Sequence, residues 1–370
     1  MHIETIAQAY AQEMLKAFNF KIGCDPKTKL DQLQAALRLN TADIQIQYKV
    51  TTKKGRKATR YHHHSGDSRQ EFADYVRAIY DCYDRLNDLK PTEYHSVERL
   101  IEPKLGTTAI DKVCVKLPGK KRQSLADAII DAMRYDAVQS KVFSKYVRQL
   151  GIKTCVYCNA QFALTAVIPK LKTNKKGMTS VKYEEGTFYE LDHNIAKSKE
   201  PYLCTNFYNL QPCCGSCNRR KNDRPLAFSL YYESGDGTVI RPLRFALTPQ
   251  DLIKYRTAHQ CDGIYAHLYN NGDANLPKDD DKSLASAFNT MFGIKGVYEE
   301  QADSVLELLW RHKIYSKGMV QSMGKQMAAL GIKDFNFNHY ILGTYPDSAD
   351  VHKRPLSMML QDLWEQLNKI

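Results

Sequence analysis

The first 150 residues show apolar positions at helical spacing, interrupted once by an alternating pattern. The helical spacing predicts amphipathic helices over 3–18, 72–86 and 123–149, the last ending before Gly151. Between the first two, apolar and polar residues alternate over 44–50, and turn residues follow. We therefore predict a mostly helical region over 1–150 that carries a basic hairpin near 43–63.

The chain after Pro225 mixes short apolar runs with longer helical patterns. A polar stretch over 270–281 predicts an exposed loop, and helices are predicted over 284–292, 298–330 and 356–367. Between the two helical parts lies a cysteine-rich segment. The sequence thus predicts an α+β chain, mostly helical, in three regions: 1–150, 151–225, and a helical region over 226–370 that could bind a partner or substrate.

Composition places the chain among globular proteins of ordinary polarity. Its 370 residues suggest about two or three domains. Hydrophobic residues at 43% and charged residues at 25% exclude collagen-like and wholly disordered chains. No run of about 20 apolar residues occurs, and the N-terminus lacks a basic-then-apolar signal pattern. We therefore expect a cytoplasmic protein with no membrane partner.

The net charge is the feature that composition leaves unexplained. Lys and Arg outnumber Asp and Glu by 53 to 41, which gives +12 at pH 7 and a pI near 9.0. Such an excess fits a polyanionic partner such as nucleic acid, and it fits ordinary solubility equally well. Basic runs over 49–60 and 112–122 leave the same alternatives open, because a positive strip can contact phosphates or simply face water.

Six of the ten cysteines lie between positions 155 and 217, while the other four are scattered singly, as core residues often are. Cys155-Val-Tyr-Cys158 and Cys214-Gly-Ser-Cys217 are two C-x-x-C pairs, and four thiolates at this spacing are typical of a tetrahedral zinc site. Cys213 would give a longer spacing to Cys217, so Cys214 is the preferred ligand. Such a site has no open coordination position, so we expect a structural zinc.

Three short polar motifs lie between the two pairs and directly after the second. Leu191-Asp192-His193 ends an apparent strand, Asn209-Leu210-Gln211 precedes the second pair, and Asn218 follows it in a basic helix start. In this order the pieces resemble the HNH endonucleases, which fold as a ββα-metal finger supported in many members by a four-cysteine zinc site. The resemblance covers the segment 155–221 and leaves the flanking helical regions unexplained.

The resemblance implies a role for each polar residue. His193 would be the general base, Asp192 and Asn218 would hold a catalytic Mg²⁺ or Mn²⁺, and Asn209 would brace the loop that positions His193. The basic residues that would meet the nucleic-acid backbone are Arg219, Arg220 and Lys221. The chemistry agrees with these roles, because a neutral imidazole can take a proton from water and a hard cation on oxygen ligands can stabilise a leaving oxygen.

The insertion between Cys158 and Asp192 departs from a compact finger, because it has 33 residues. We predict strands over 162–168 and 181–191, joined by an extended tip with lysines at 170, 172, 175 and 176. The tip could follow phosphates or be a solvated turn.

These features together lead us to expect a metal-dependent HNH-type endonuclease, with DNA as the favoured substrate and RNA as the alternative. Similar fingers occur in restriction enzymes and anti-phage defence systems, where a helical nuclease subunit can pair with an ATPase, so an ATPase partner is also expected. The rival interpretation is a non-catalytic, zinc-stabilised subunit that binds nucleic acid or another protein. That rival does not need Asp192, His193 and Asn218 together.

Overall fold

Helices account for more than half of the described residues, and short strands, turns and irregular segments make up the remainder. The structure is a computed structural model that describes residues 3–16, 23–39, 42–52, 56–63, 68–105, 109–173, 177, 179–226, 242–258, 261–270, 283–332 and 336–369. The predicted α+β class is confirmed over these residues. The predicted turn residues 53–55 and the loop residues 271–281 lie outside them.

Most helices are short and begin or end at local signals. In the described chain they are α1 (Ile3–Met14), α2 (Pro26–Arg38), α3 (Ser68–Leu86), α4 (Tyr94–Ile101), α5 (Leu125–Ala132), α6 (Tyr135–Ala137), α7 (Phe143–Leu150), α8 (Gly215–Lys221), α9 (Pro249–Ile253), α10 (Leu284–Phe292), α11 (Ile294–Glu299), α12 (Ala302–Ile314), α13 (Lys317–Ala329), α14 (Phe337–Leu342) and α15 (Ser357–Asn368). Asp25, Ser124 and Thr248 cap α2, α5 and α9 by accepting a first-turn backbone N–H. Among the described helices, none combines the length and the apolar character that a membrane span requires.

The strands form small separate sheets. They are β1 (Asp43–Thr51), β2 (Lys57–His63), β3 (Val113–Lys116), β4 (Gln123–Ser124), β5 (Leu164–Thr173), β6 (Thr179–Phe188), β7 (Glu190–His193), β8 (Leu210–Cys213), β9 (Leu243–Ala246) and β10 (His267–Asn270). The largest sheet has the order β2-β1-β3-β4, with β1 and β2 forming an antiparallel hairpin from Gln45 opposite His63 to Thr51 opposite Lys57. The other sheets pair β5 with β6, β7 with β8, and β9 with β10.

The internal contacts of the chain divide it into two compact units. Unit 1 comprises Met1–Leu150, Leu191–Gln211 and Asp223–Tyr231, and unit 2 comprises Gly151–Glu190, Pro212–Asn222 and Tyr232–Ile370. The cysteine-rich segment therefore contributes residues to both units.

The core of unit 1 is built around Tyr10 on α1. Its ring meets those of Phe143, Tyr146 and Phe207, with centroids 5.6, 5.3 and 5.6 Å away. The Tyr10 hydroxyl donates a hydrogen bond of 2.6 Å to the backbone oxygen of Thr205. These contacts pack the segment before β8 against the N-terminal helices of the same unit.

The core of unit 2 is formed by helices around β9. The Phe245 N–H donates to Asp362 Oδ2 at 2.9 Å, and the Phe245 ring lies 4.3 Å from that of Tyr298. The ring of Tyr157, inside the first cysteine pair, stacks on Phe292 of α10 at 4.8 Å. This core therefore holds the first cysteine pair.

Two of the predicted long helices are broken, so the predictions of single helices over 123–149 and 298–330 are wrong. In the first, α5 ends near Arg134, whose φ of 60° is left-handed, and a π-helical turn precedes α7. In the second, the range is divided among α11, α12 and α13, and Ser316 caps α13 by accepting the Met319 N–H. Apolar periodicity does not detect such breaks, because the same face stays apolar across them.

The lysine-rich segment is mostly regular strand. β5 and β6 pair over their whole length, so Lys170 and Lys172 lie within β5. Together with Lys182 they make ion pairs of 2.9, 3.2 and 3.4 Å with Glu184. Hydrogen bonds from these lysines lower the pKa of Glu184 to about 2. Positions 175 and 176 lie outside the described residues.

Candidate metal centre and active site

The four cysteines predicted to bind zinc come together in unit 2. The Sγ atoms of Cys155, Cys158, Cys214 and Cys217 all lie within 4.8 Å of one another, and all four residues are buried. A tetrahedral zinc with Zn–S bonds of about 2.3 Å places its sulfurs about 3.8 Å apart. The cluster therefore needs little adjustment to hold one ion.

Backbone hydrogen bonds shape the turn of the first cysteine pair. The Cys155 N–H donates to Gln161 O at 2.8 Å, and the Asn159 N–H donates to Cys155 O at 2.9 Å. The Val156 N–H donates to Pro212 O at 3.2 Å. This last bond fastens the first pair to the strand that leads to the second.

The second pair lies at the start of α8. Cys214 is the N-cap of that helix, and its Sγ accepts the Cys217 N–H at 3.5 Å. The neighbouring Cys213 directs its thiol to Glu190 O at 3.6 Å instead. The choice of Cys214 over Cys213 as a ligand agrees with this geometry.

Two residues that the sequence analysis missed anchor the first pair. Asn159 has a left-handed φ of 49°; its Nδ2 donates to Val351 O at 2.9 Å, and its Oδ1 accepts the Met358 N–H at 2.9 Å. The buried Tyr298 donates its hydroxyl to Cys158 O at 2.8 Å. The hydrogen-bond partners of Asn159 and Tyr298 lie far away in sequence, so spacing could not predict these contacts. The one local signal was the position of Asn159 directly after the C-x-x-C pair.

The chemistry of the four thiols suits a divalent cation. Hydrogen bonds among the sulfurs, those from Cys155 first, lower the pKa values of the Cys158 and Cys214 thiols. The same bonds raise the pKa values of Cys155 and Cys217. The cluster can hold a zinc ion, and four sulfur ligands would leave it no position for a reacting water.

Asp192 and His193 lie on β7 in unit 1, with only 7% and 5% of their surface exposed. His193 Nε2 is 2.9 Å from the backbone oxygen of Cys204. Because a carbonyl can only accept, Nε2 carries the proton of the neutral ring, and Nδ1 bears the lone pair. The ring also packs on that of Tyr135 at 4.8 Å, whose hydroxyl donates to Leu191 O at 3.3 Å. These contacts hold the imidazole in one tautomer and one orientation.

Asn209 is fully buried and ties together the segment after His193. Its Oδ1 accepts the Ile195 N–H at 2.7 Å, and its Nδ2 donates to Ile195 O and Leu203 O, each at 3.1 Å. Its backbone oxygen accepts the N–H of Asn194 at 2.9 Å. Every polar atom of this side chain is therefore used within unit 1.

Asn218 lies on α8 in unit 2, where its Nδ2 donates to Glu190 Oε2 at 2.7 Å. A carboxylate without a proton can only accept, so the amide nitrogen faces Glu190 and Oδ1 is the atom suited to a cation. Gly215 allows this approach, because a Cβ there would lie 2.7 Å from Glu190 Oε1. Glu190 is a third residue whose role the sequence analysis missed.

The three basic residues after Asn218 differ in exposure. Arg219 and Arg220 are exposed, whereas Lys221 is fully buried. A buried ammonium cannot reach a phosphate in solvent, so the expected backbone contact of Lys221 is not supported by its position. For Arg219 and Arg220, which are exposed, a contact with the nucleic-acid backbone is still expected.

The described residues thus place the predicted chemistry in separate units: Asp192, His193 and Asn209 in unit 1, and Asn218 with the four cysteines in unit 2. Comparison of the chain with protein-family models, curated proteins and solved structures finds no match. The resemblance to HNH endonucleases therefore rests on the motif residues alone.

Proposed function

We propose that this protein is a metal-dependent endonuclease of the HNH type, which hydrolyses phosphodiester bonds in DNA or, as the alternative substrate, in RNA. The observation that carries the proposal is the hydrogen bond between His193 Nε2 and the backbone oxygen of Cys204. A general base needs one fixed tautomer with its lone pair toward the reaction, and this bond assigns the lone pair to Nδ1.

In the proposed reaction, Nδ1 of His193 takes a proton from the water that attacks phosphorus. Asp192 would supply an oxygen ligand to Mg²⁺ or Mn²⁺, which would neutralise charge on the phosphate and stabilise the departing oxygen. The ligand role of Asn218 is implied by the resemblance alone. The hydrogen bonds of Asn209 would keep the segment after His193 in place, which supports its role as a brace. The zinc would only stabilise the fold.

Binding of the substrate would use exposed cations. Arg219 and Arg220 follow Asn218 on the same helix and are exposed, so they would contact the nucleic-acid backbone. His193 and Asp192 expose only a small edge each, so the scissile phosphate must approach along that edge.

An ATPase partner in an anti-phage or restriction system is the finer part of the proposal. Helix α13 supports it, because none of its 13 residues is buried although it carries several methionines. Co-purification with an ATPase encoded beside this protein is the expected result, and full activity of the isolated chain would contradict a controlling partner.

The test incubates wild type, His193→Ala and Asp192→Asn with plasmid, single-stranded DNA and tRNA, with Mg²⁺, with Mn²⁺ or with no added metal. We expect metal-dependent cleavage by wild type and a loss of about 100-fold or more in the His193 variant. His95→Ala is the matched control, because that histidine is exposed in unit 1 and pairs with Glu98. Thermal melting would show whether the variants at the buried positions 192 and 193 remain folded.

Equal cleavage by wild type and a folded His193→Ala protein would refute the assigned base. The rival, a non-catalytic nucleic-acid-binding subunit, instead predicts binding that weakens steeply with salt and no product under any metal condition.

A further inference from the structure

A cavity of about 540 Å³ in unit 1 lies beside the proposed general base. Its walls come from α2, from the turn after β3, and from the end of α5 with the following turn. Tyr135 lines this cavity and also packs its ring on His193. Tyr135 therefore belongs both to the lining of the cavity and to the surroundings of the His193 ring.

Three cations from three elements line the cavity: Lys29 of α2, Lys120 of the turn after β3, and Arg134 after α5. In the described part of the chain none of them makes an ion pair; Lys29 donates to Gln32 at 3.0 Å. Two carboxylates, Asp131 and Asp136, also line it. The lining thus keeps an excess of positive charge.

Arg134 combines two unusual features. Its φ of 60° and ψ of 34° are left-handed, a conformation that glycine adopts without cost and that costs other residues stability. Its buried Nε has no hydrogen-bond partner among the residues that the structure describes. A guanidinium held in this way would gain from an acceptor such as a phosphate oxygen, which arginine binds through two nitrogens.

The remaining walls suit the rest of a nucleotide. Apolar residues in the lining are Leu33, Leu117 and Pro118, with the aromatic Tyr135, and Gln32 and Asp131 offer hydrogen-bonding groups. A volume of about 540 Å³ is within the usual range of small-molecule pockets. Apolar walls for a base and sugar, with cations for a phosphate, are the complement of a phosphorylated nucleoside.

We propose that this cavity binds one nucleotide of the nucleic-acid strand, close to the bond that is cut. The assignment rests on the proposed function in taking nucleic acid as the ligand, and it adds a subsite built from Arg134, Lys120 and Lys29. A free mononucleotide would offer the same chemistry, so the experiment separates the two sources.

The test measures anisotropy of a fluorescein-labelled 20-nucleotide single-stranded DNA, and of its RNA counterpart, with His193→Ala protein so that the probe is not consumed. Into this background go Lys120→Gln, Lys121→Gln and Arg134→Gly. Lys121 is the matched control, because it is the neighbouring exposed lysine and does not line the cavity. Arg134→Gly removes the guanidinium from a backbone conformation that suits glycine.

We expect Lys120→Gln and Arg134→Gly to weaken binding about fivefold, which is about 1 kcal/mol, and Lys121→Gln to change it less than twofold. The salt slope should fall by about one for each lost phosphate contact. The melting temperature of Arg134→Gly should be unchanged or higher, since glycine relieves the left-handed strain. A purely structural role for Arg134 would lower it.

Equal weakening by the Lys120 and Lys121 variants would overturn the assignment. It would also be overturned if inorganic phosphate displaced the probe as effectively as dAMP or AMP does. Binding of dAMP or AMP without binding of either oligonucleotide would also overturn it, in favour of a free nucleotide. Cleavage by wild type is measured in parallel, so that the two proposals can fail separately. Cleavage together with equal binding by the Lys120 and Lys121 variants would refute the cavity assignment and leave the nuclease proposal standing. The expected difference between the variants without any cleavage would refute the nuclease proposal and leave the cavity assignment standing.

Discussion

Replacement of Cys217 by serine is the sharpest test of the metal centre. Cys217 lies in α8 with its Sγ within 4.8 Å of the other three sulfurs, so its loss leaves three ligands for zinc. We expect the variant to lose tightly bound zinc and stability together, because the ion joins two segments that are distant in sequence.

The length of chain between the two pairs sets the magnitude. Fifty-five residues, 159–213, separate Cys158 from Cys214. The chain-entropy relation for a cross-link that closes a loop of about this length gives about 14 cal/mol/K, or about 4 kcal/mol at 25 °C. For a folding unit of about 150–250 residues this corresponds to about 8–16 °C in melting temperature.

The assay combines zinc analysis of dialysed protein with thermal melting. Wild type should hold about one zinc per chain, and Cys217→Ser should hold much less and melt earlier. Cys213→Ser is the matched control, because this neighbouring cysteine is equally buried but directs its thiol to Glu190 O. Equal zinc content and equal melting in the two variants would refute the four-sulfur site, and zinc loss in the Cys213 variant alone would show that the wrong cysteine was chosen.

Three further predictions concern buried or half-buried polar groups. Burial raises the pKa of Glu200 above its usual value of 4.5. The stability that its protonated form contributes is therefore fully present below pH 4.5 and is lost as pH rises through the raised pKa. Glu200→Gln can still accept the hydrogen bond from Tyr202, so in denaturant titrations it should raise stability at pH 7–8 and leave it unchanged at pH 4. Asn209→Ala removes three side-chain hydrogen bonds and should cost about 3 kcal/mol in the same assay. Tyr298→Phe removes the bond to Cys158 O and should cost about 1 kcal/mol and speed zinc transfer to a chelator.

Each of these three predictions has a distinct contrary result. A Glu200→Gln protein with the wild-type pH profile would mean that this carboxyl is not the titrating group. Full stability of Asn209→Ala would mean that water replaces its hydrogen bonds. A Tyr298→Phe protein with unchanged stability and zinc transfer would separate the hydroxyl from the metal centre.

The two metals of the proposed nuclease require separate tests. EDTA in excess can remove structural zinc as well as catalytic Mg²⁺, so loss of cleavage in EDTA does not by itself identify a catalytic ion. Omission of Mg²⁺ and Mn²⁺ without a chelator leaves the four-sulfur site loaded, because thiolates bind zinc tightly. Cleavage restored by Mg²⁺ in protein of constant zinc content is the expected result.

Local spacing in the sequence was sufficient to predict which cysteines come together, and to predict many of the helices. C-x-x-C presents two sulfurs from one turn, and this property depends on few neighbours, so the sequence alone indicated the group of Cys155, Cys158, Cys214 and Cys217. Helical periodicity predicted α1, α3, α10 and α15 for the same reason, since a 3.6-residue repeat is a local property. It failed at Arg134, where one left-handed residue ends a helix without changing the apolar pattern.

Only the tertiary structure decided which polar groups are buried and what they contact. Lys221 belongs to a basic run by sequence, yet the fold buries it completely. Neither the proton on His193 Nε2 nor the anchor that Tyr298 provides for Cys158 can be derived from spacing, because the partners lie 11 and 140 positions away. The sequence by itself determined which polar and sulfur-bearing residues are present and how they are spaced. Tertiary packing decided which of those residues are buried and which come together, because burial and hydrogen bonding depend on segments brought together from distant parts of the chain.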